Sequence, residues 1–127
     1  MKNIKTNQEL FWEGEFGDEY IDRNRDEKIL ASKVSMFSDI IKKTSNVKSV
    51  FEVGANIGLN MIALNQLLPD AELNAIEINK RAYQELQKLK YVNSYLGSIL
   101  DFDNTISVDL VFCCTVLIHI NPNSLDL

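Results

Sequence analysis

The stretch that most constrains this chain is residues 49–60, SVFEVGANIGLN, where a short β-branched apolar run meets a glycine-punctuated turn and then helix-compatible residues. The pattern predicts a strand ending at Val53, a turn through Gly54 and Gly58, and a helix running toward Leu68. Such a junction is expected to leave unpaired backbone N–H groups at the helix mouth, where a ligand can use them. Glu52 falls at the C-terminal end of that strand. A carboxylate there repels phosphate and favours a cation or a hydroxyl, so the expected ligand carries a positive centre.

On either side the periodicity alternates. Over residues 24–43, Leu30, Val34, Phe37 and Ile41 recur at helical spacing while Lys28, Lys33, Asp39 and Lys42 fall elsewhere, and Asn24 with Glu27 reads as a capping box. Strands are predicted over 47–53, 71–78, 91–96 and 108–115, and helices over 57–68 and 79–89. Residues 97–107 read as a loop, and Asn121-Pro122 offers a fresh helix start. Strands apolar on both faces, separated by helices, predict a Rossmann-like parallel α/β sheet of about four strands with flanking helices and right-handed crossovers. The division expected is an N-terminal arm or lid over residues 1–25, with Phe11, Trp12, Phe16 and Tyr20 at near-helical steps broken by Gly14 and Gly17, and one domain over 26–127. Packing of those rings over one edge of the core is the simpler reading of the arm; closure over a ligand is the other. The last strand ends the sheet on an apolar edge, which is expected to be covered by a partner, including a second copy of the chain, or by strands beyond a shortened C-terminus.

Bulk properties remove several classes of function. At 127 residues the chain is long enough for one core. A net charge of −5, from 18 acidic and 13 basic residues, supplies no global field for nucleic acid or an anionic membrane. Cys113 and Cys114 are adjacent, so neither a disulfide framework nor a CxxC metal site is available. With His119 the only histidine, no zinc site is expected. The first ten residues hold no apolar signal region and no run is long enough to span a bilayer, so the expected location is the cytoplasm.

In an open parallel sheet, ligands bind at the C-terminal strand ends. Glu52 with Gly54, Asn56 and Gly58, then Glu77, then residues 97–101, then Cys113, Cys114 and Thr115 are expected to converge there. A carboxylate at Glu77, one helix after the glycine turn, is placed to accept the hydrogen bonds of a ribose diol. The turn is GANIG, not GxGxxG, with Ala55 and Asn56 where a dinucleotide fingerprint needs its second glycine, which counts against a nicotinamide-dependent oxidoreductase. Glu52 before the turn suits S-adenosylmethionine, which carries an ammonium and a sulfonium and no phosphate. Asp109, at the start of the last strand, is expected to close a turn rather than perform chemistry.

These residues resemble a known group. VFEVGANIGLN resembles motif I of class I S-adenosylmethionine-dependent methyltransferases, AIEIN the acidic motif II, and DLVFCCTVLIHI motif IV. FWEGEFGDEYIDRN, LIHINP and LGSILDF are further similar to the pseudaminic acid biosynthesis-associated methylase family. The resemblance implies a methyltransferase acting on a small molecule, a nucleotide-linked nonulosonic sugar or its precursor. By it, Gly54 and Gly58 bring backbone close to the methionine moiety, Glu52 holds the amino group and Glu77 the ribose hydroxyls. Ser98 stands where many relatives carry Asp, which leaves Asp101 or a backbone N–H near Ile99 to recognise the base. Cys114 and Thr115 line the methyl-donor side by position, and His119 is a candidate general base, although positioning alone supplies much of the acceleration in methyl transfer. The resemblance also implies further C-terminal strands that this chain lacks. A non-catalytic S-adenosylmethionine-binding or interaction fragment that completes its sheet with a partner chain is the alternative.

Overall fold

A computed structural model describes residues 4–23, 25–103 and 105–125. Helices α1 (Asn7–Glu13), α2 (Glu15–Arg23) and α3 (Glu27–Lys42) precede strand β1 (Ser49–Val53). Then follow α4 (Leu59–Leu67), β2 (Glu72–Glu77), α5 (Lys80–Leu86), β3 (Val92–Leu96) and β4 (Leu110–Cys113). Single 3₁₀ turns cover Ile99–Asp101, Leu117–His119 and Pro122–Ser124. The four strands are parallel, as the alternating pattern predicted, and lie in the order β3-β2-β1-β4. The order reverses between β1 and β4, and the crevice at such a reversal is where open α/β sheets bind ligands.

Strand alternation sorts β1 into two faces. Val50 is fully buried in a core with Phe37 of α3, Met61 and Leu64 of α4, Leu86 of α5, and Leu73, Ala75 and Val92 of the neighbouring strands. Glu52, two residues on, points to the same side. All three central helices therefore cover one face. The opposite face carries Phe51, whose ring stacks on Phe102 of the loop after β3 at 5.3 Å, and Val111, which is 61% exposed. Both crossovers, at β1-β2 and β2-β3, step the same way along the sheet, and right-handed connections then deliver α4 and α5 to one side.

Several boundaries move for local reasons. Helix α4 begins at Leu59, not Ile57, because Gly58 is its N-cap with φ +91°, a left-handed conformation from which a helix cannot be propagated backward. Asn24 lies outside the described residues; Asp26 caps α3, its side chain accepting from the Lys28 N–H at 2.8 Å. In the arm, Gly14 separates two helices, whereas Gly17 sits buried inside α2 and interrupts nothing. Pro122 opens a single 3₁₀ turn. Asp109 behaves as expected, its carboxylate accepting from the Lys48 N–H at 2.8 Å and its N–H donating to Ser49, which fixes β4 beside β1. Among the described residues, no helix is long and apolar enough to cross a membrane.

Candidate ligand site at the sheet switch point

A cavity of about 260 Å³ opens at the C-terminal ends of the strands. Its floor is the β1 turn with Glu52, Gly54 and Asn56, and its walls come from Glu77 after β2, Ser98 and Ile99 after β3, and Cys114, Thr115 and His119 after β4. Three expected members, Gly58, Asp101 and Cys113, are absent from the wall. Gly58 instead packs under α5, where an added Cβ would stand 2.7 Å from Leu89 Cδ1 and 2.8 Å from Leu86 Cδ1. Its missing side chain leaves room for Leu86 and Leu89. Asp101 is exposed at the end of the 3₁₀ turn that Ser98 caps by accepting from the Leu100 N–H at 3.2 Å.

The glycine turn holds itself together. The N–H groups of Gly54 and Ala55 both donate to the Ile76 carbonyl at 2.9 and 3.1 Å, and that of Gly58 donates to the Ala55 carbonyl at 3.0 Å. Ile57 N–H is taken by the Asn56 side chain at 2.7 Å, and Asn56 N–H by Glu77 Oε2 at 2.6 Å. From Gly54 to Gly58 every N–H is engaged, so the turn offers none to a ligand, and Gly58 gives the first turn of α4 no side-chain cap. Asn56 turns at φ +51° to make this possible. An anion would find no free donors along this turn and two carboxyl groups beside it.

Those carboxyl groups are the chemistry of the site. Glu52 is 1% exposed; Oε1 accepts from Asn60 Nδ2 at 2.5 Å, while Oε2 is buried with no partner among the described residues. Burial foremost, with some repulsion from Glu77, pushes its carboxyl up to about 8, against the opposing Asn60 hydrogen bond and the charge of Lys33. Glu77 is also buried, and burial raises it although N–H groups of Asn79 and Asn56 favour its charged form. Each Glu77 oxygen takes one backbone N–H, at 2.8 Å from Asn79 and 2.6 Å from Asn56, which leaves one lone pair per oxygen. Cys114 is half-buried, its thiol raised by burial and then by the nearness of Glu52. The left-handed Thr115, at φ +60°, follows it.

The N-terminal arm forms the roof. Thr6, Gln8, Glu9, Trp12, Gly17 and Tyr20 all line the cavity. Trp12 meets Phe16 at 5.2 Å, Tyr20 at 5.3 Å and the His119 ring at 4.6 Å, so ring packing and cover of the cavity are one arrangement. Asn79 fastens the roof to the sheet: Nδ2 lies 3.2 Å from the Trp12 carbonyl and 2.9 Å from Asp18 Oδ1, while Oδ1 accepts from the Ala82 N–H at 2.8 Å as the N-cap of α5. Gly17 makes room for this, since a Cβ there would sit 1.9 Å from the Trp12 oxygen. Glu9 adds a tie to Ser98, and its carboxyl is lowered because hydrogen bonds from Ser98 and Thr6 outweigh the opposing effect of burial.

Sequence reasoning missed Lys33, Asn60 and Asn79. Lys33 precedes the buried Phe37 by four residues, the spacing of one helix face, and Asn79 stands at the start of a helix as cap residues do. Thr6-Asn7-Gln8-Glu9 is likewise a legible capping box, with both of its hydrogen bonds formed. Asn60, in the first turn of a helix with no polar stripe, carries no such signal.

No protein-family model matches the chain, and no curated protein does. Solved structures do. The plantazolicin methyltransferase BpumL in complex with SAH superposes with a TM-score of 0.62 at 18% identity, over 84% of this chain and 44% of that one. The SAM-bound amino pentose methyltransferase CalS10 from Micromonospora echinaspora, involved in calicheamicin biosynthesis, gives 0.60 at 16% identity, over 90% and 44%. The sugar N-methyltransferase KedS8 from Streptoalloteichus sp ATCC 53650 gives 0.62 at 18% identity, over 91% and 44%. The fold is that of class I S-adenosylmethionine-dependent methyltransferases, and the chain spans less than half the length of these structures.

Proposed function

We propose that this chain is the cofactor-binding part of an S-adenosylmethionine-dependent methyltransferase that acts on a small molecule. The observation that carries the reading is the pair of buried carboxyl groups, Glu52 and Glu77, facing one cavity beside a turn whose N–H groups are all engaged. Acceptors without donors suit a ligand rich in N–H and O–H groups and bearing a cation; a pyrophosphate needs the reverse. The residues fit the cofactor. The unpartnered Glu52 Oε2 is available to its ammonium, and the remaining lone pairs of Glu77 to its ribose hydroxyls. Ile78 and Ile99 give an apolar wall for the adenine, with Ser98 and the backbone near Ile99 beside it.

When bound, S-adenosylmethionine supplies an electrophilic methyl group on a sulfonium. The chain contributes position: the Trp12 roof covers part of the cavity, and His119, against Trp12 in the lining, is the candidate to take an acceptor's proton. A sugar-like acceptor is supported by the likeness to an amino pentose methyltransferase and a sugar N-methyltransferase, and the pseudaminic acid assignment rests on the sequence resemblance of residues 11–24, 54–60, 96–102 and 117–122.

Calorimetric titration with S-adenosylmethionine, S-adenosylhomocysteine and NAD in parallel tests the reading. Binding of the first two without NAD is expected; NAD binding with no response to the others would overturn it.

A further inference from the structure

The arm has an outer side as well as the inner one that roofs the cavity. There Leu10, Phe11, Gly14, Glu15, Phe16 and Glu19 line a shallow cleft between α1 and α2. Its floor is aromatic. The rings of Phe11 and Phe16 stack at 4.3 Å, and both meet Trp12 edge-on, at 5.8 and 5.2 Å, which backs the floor with the rings of the roof. Leu10 and Phe11 are nonetheless 53% and 50% exposed. Single apolar side chains on a surface need no explanation, but two stacked rings and a leucine around one cleft form a contiguous patch of the kind that partners cover.

The rim says what kind of partner fits. Glu15 and Glu19 stand one turn apart on α2, both exposed. The other acids of the two helices are engaged within the chain: Glu9 with Thr6 and Ser98, Glu13 with Lys5 at 2.6 Å, Asp18 with Asn79 at 2.9 Å, and Asp22 with Arg25 and Arg81 at 3.6 and 3.7 Å. Among the described residues Glu15 and Glu19 have no ion pair within 4.0 Å. Even Arg23, one turn beyond Glu19, lies over the Phe16 ring instead, its guanidinium carbon 5.8 Å from the centroid. The floor already attracts one guanidinium, and the exposed Phe11 ring and two carboxylates remain open to another.

We propose that this cleft docks a basic segment of a partner polypeptide, with an arginine guanidinium laid on Phe11 and paired with Glu15 and Glu19, and an apolar neighbour one turn away resting on Leu10. A guanidinium matches the cleft on both counts: its planar face packs on a ring and its N–H edge donates to carboxylates. A lysine, as a point charge, would use the rim and little of the floor. Nucleic acid or an anionic lipid surface would be repelled by the same rim. The inference is independent of the cofactor reading, because it concerns the opposite side of the arm.

Fluorescence anisotropy on the full chain with labelled helical peptides tests it. One peptide carries arginine and leucine one turn apart on the same face; the other has glutamate in place of the arginine. The arginine peptide is expected to bind tighter by about tenfold or more and to weaken as salt rises. Glu15→Gln with Glu19→Gln should remove that preference, and Phe11→Ser should weaken the arginine peptide by roughly tenfold, with helix content and thermal midpoint near those of the parent chain. Asp70→Asn with Asp103→Asn, which removes two exposed acids elsewhere, should leave the preference intact. Equal affinity for the two peptides, or the same loss from either pair of acid substitutions, would overturn the proposal. Loss of self-association in Phe11→Ser would also overturn it, by giving the cleft to a second copy of the chain. If Phe11→Ser fails to fold, the Glu15→Gln and Glu19→Gln changes, at exposed positions, decide alone.

Discussion

Glu77 is the residue on which the proposed site turns, because one carboxylate holds the Asn56 and Asn79 N–H groups and is the proposed acceptor for the ligand's ribose. Replacing it with alanine removes the acceptor for the Asn56 and Asn79 N–H groups, so Glu77→Ala is expected to lose about 2–3 kcal/mol of stability and all measurable cofactor binding. Glu77→Gln, which retains one acceptor, should recover part of the stability in chemical denaturation and little of the binding. Glu52 has the opposite balance. Its carboxyl is raised from 4.5 to about 8, so the folded chain holds a proton that the unfolded chain releases. Stability from this group is therefore fully present below about 4.5 and is lost as pH rises toward about 8. Raised Glu77 works in the same direction. The variant Glu52→Gln should flatten this part of the pH-stability curve and stabilise the ligand-free chain near pH 8 by on the order of 2 kcal/mol, while abolishing binding. A cationic ligand must also displace the Glu52 proton. Titrations near pH 7 in buffers of different ionisation enthalpy should show proton release on binding, and an enthalpy independent of buffer would contradict the arrangement.

At the scale of elements, the arm and the body meet through α5. Asn79 joins them: its backbone N–H is held by Glu77, its Oδ1 caps α5 and its Nδ2 holds the turn between α1 and α2. Two variants separate these tasks. Asn79→Asp retains an oxygen for the cap but sets a charge against Asp18 and the Trp12 carbonyl, so α5 should persist while α1 and α2 loosen. Hydrogen exchange is expected to show faster exchange over residues 7–23 with α5 unchanged, and binding of S-adenosylhomocysteine about tenfold weaker. Asn79→Ala loses the cap too, at a further cost of about 1 kcal/mol. Equal protection of residues 7–23 in Asn79→Asp and the parent chain would show that the clasp does not hold the roof.

For the whole molecule, the decisive feature is the uneven cover of the sheet. Helices pack on the Val50 face, whereas the other face and the outer edge of β4 present Val111 at 61% exposure, with Leu117 and Ile118 beyond it at 58% and 78%. Unpaired strand edges flanked by apolar side chains associate readily. This 127-residue chain is therefore expected to self-associate through β4. Sedimentation should show concentration-dependent dimers, and Val111→Lys, which sets a charge on the exposed face, should return the monomer. A monomer at all concentrations would remove this expectation.

What the sequence determined by itself is what local periodicity encodes. Alternating strand and helix patterns were enough for a parallel sheet, and they set Glu52, GANIG and Glu77 at the strand ends where the cavity lies. Burial and hydrogen-bond partners are set by residues far apart in the chain, so the tertiary structure decided the rest. It showed that the turn consumes its own N–H groups, because Glu77 and the Ile76 carbonyl arrive from the next strand to take them. It set Gly58 against Leu86 and Leu89 and outside the cavity lining, since a glycine in a loop reads the same whether it faces a cavity or Leu86. It also brought Lys33 and Asn60 to Glu52 from two different helices, a meeting that neither helix's own pattern contains.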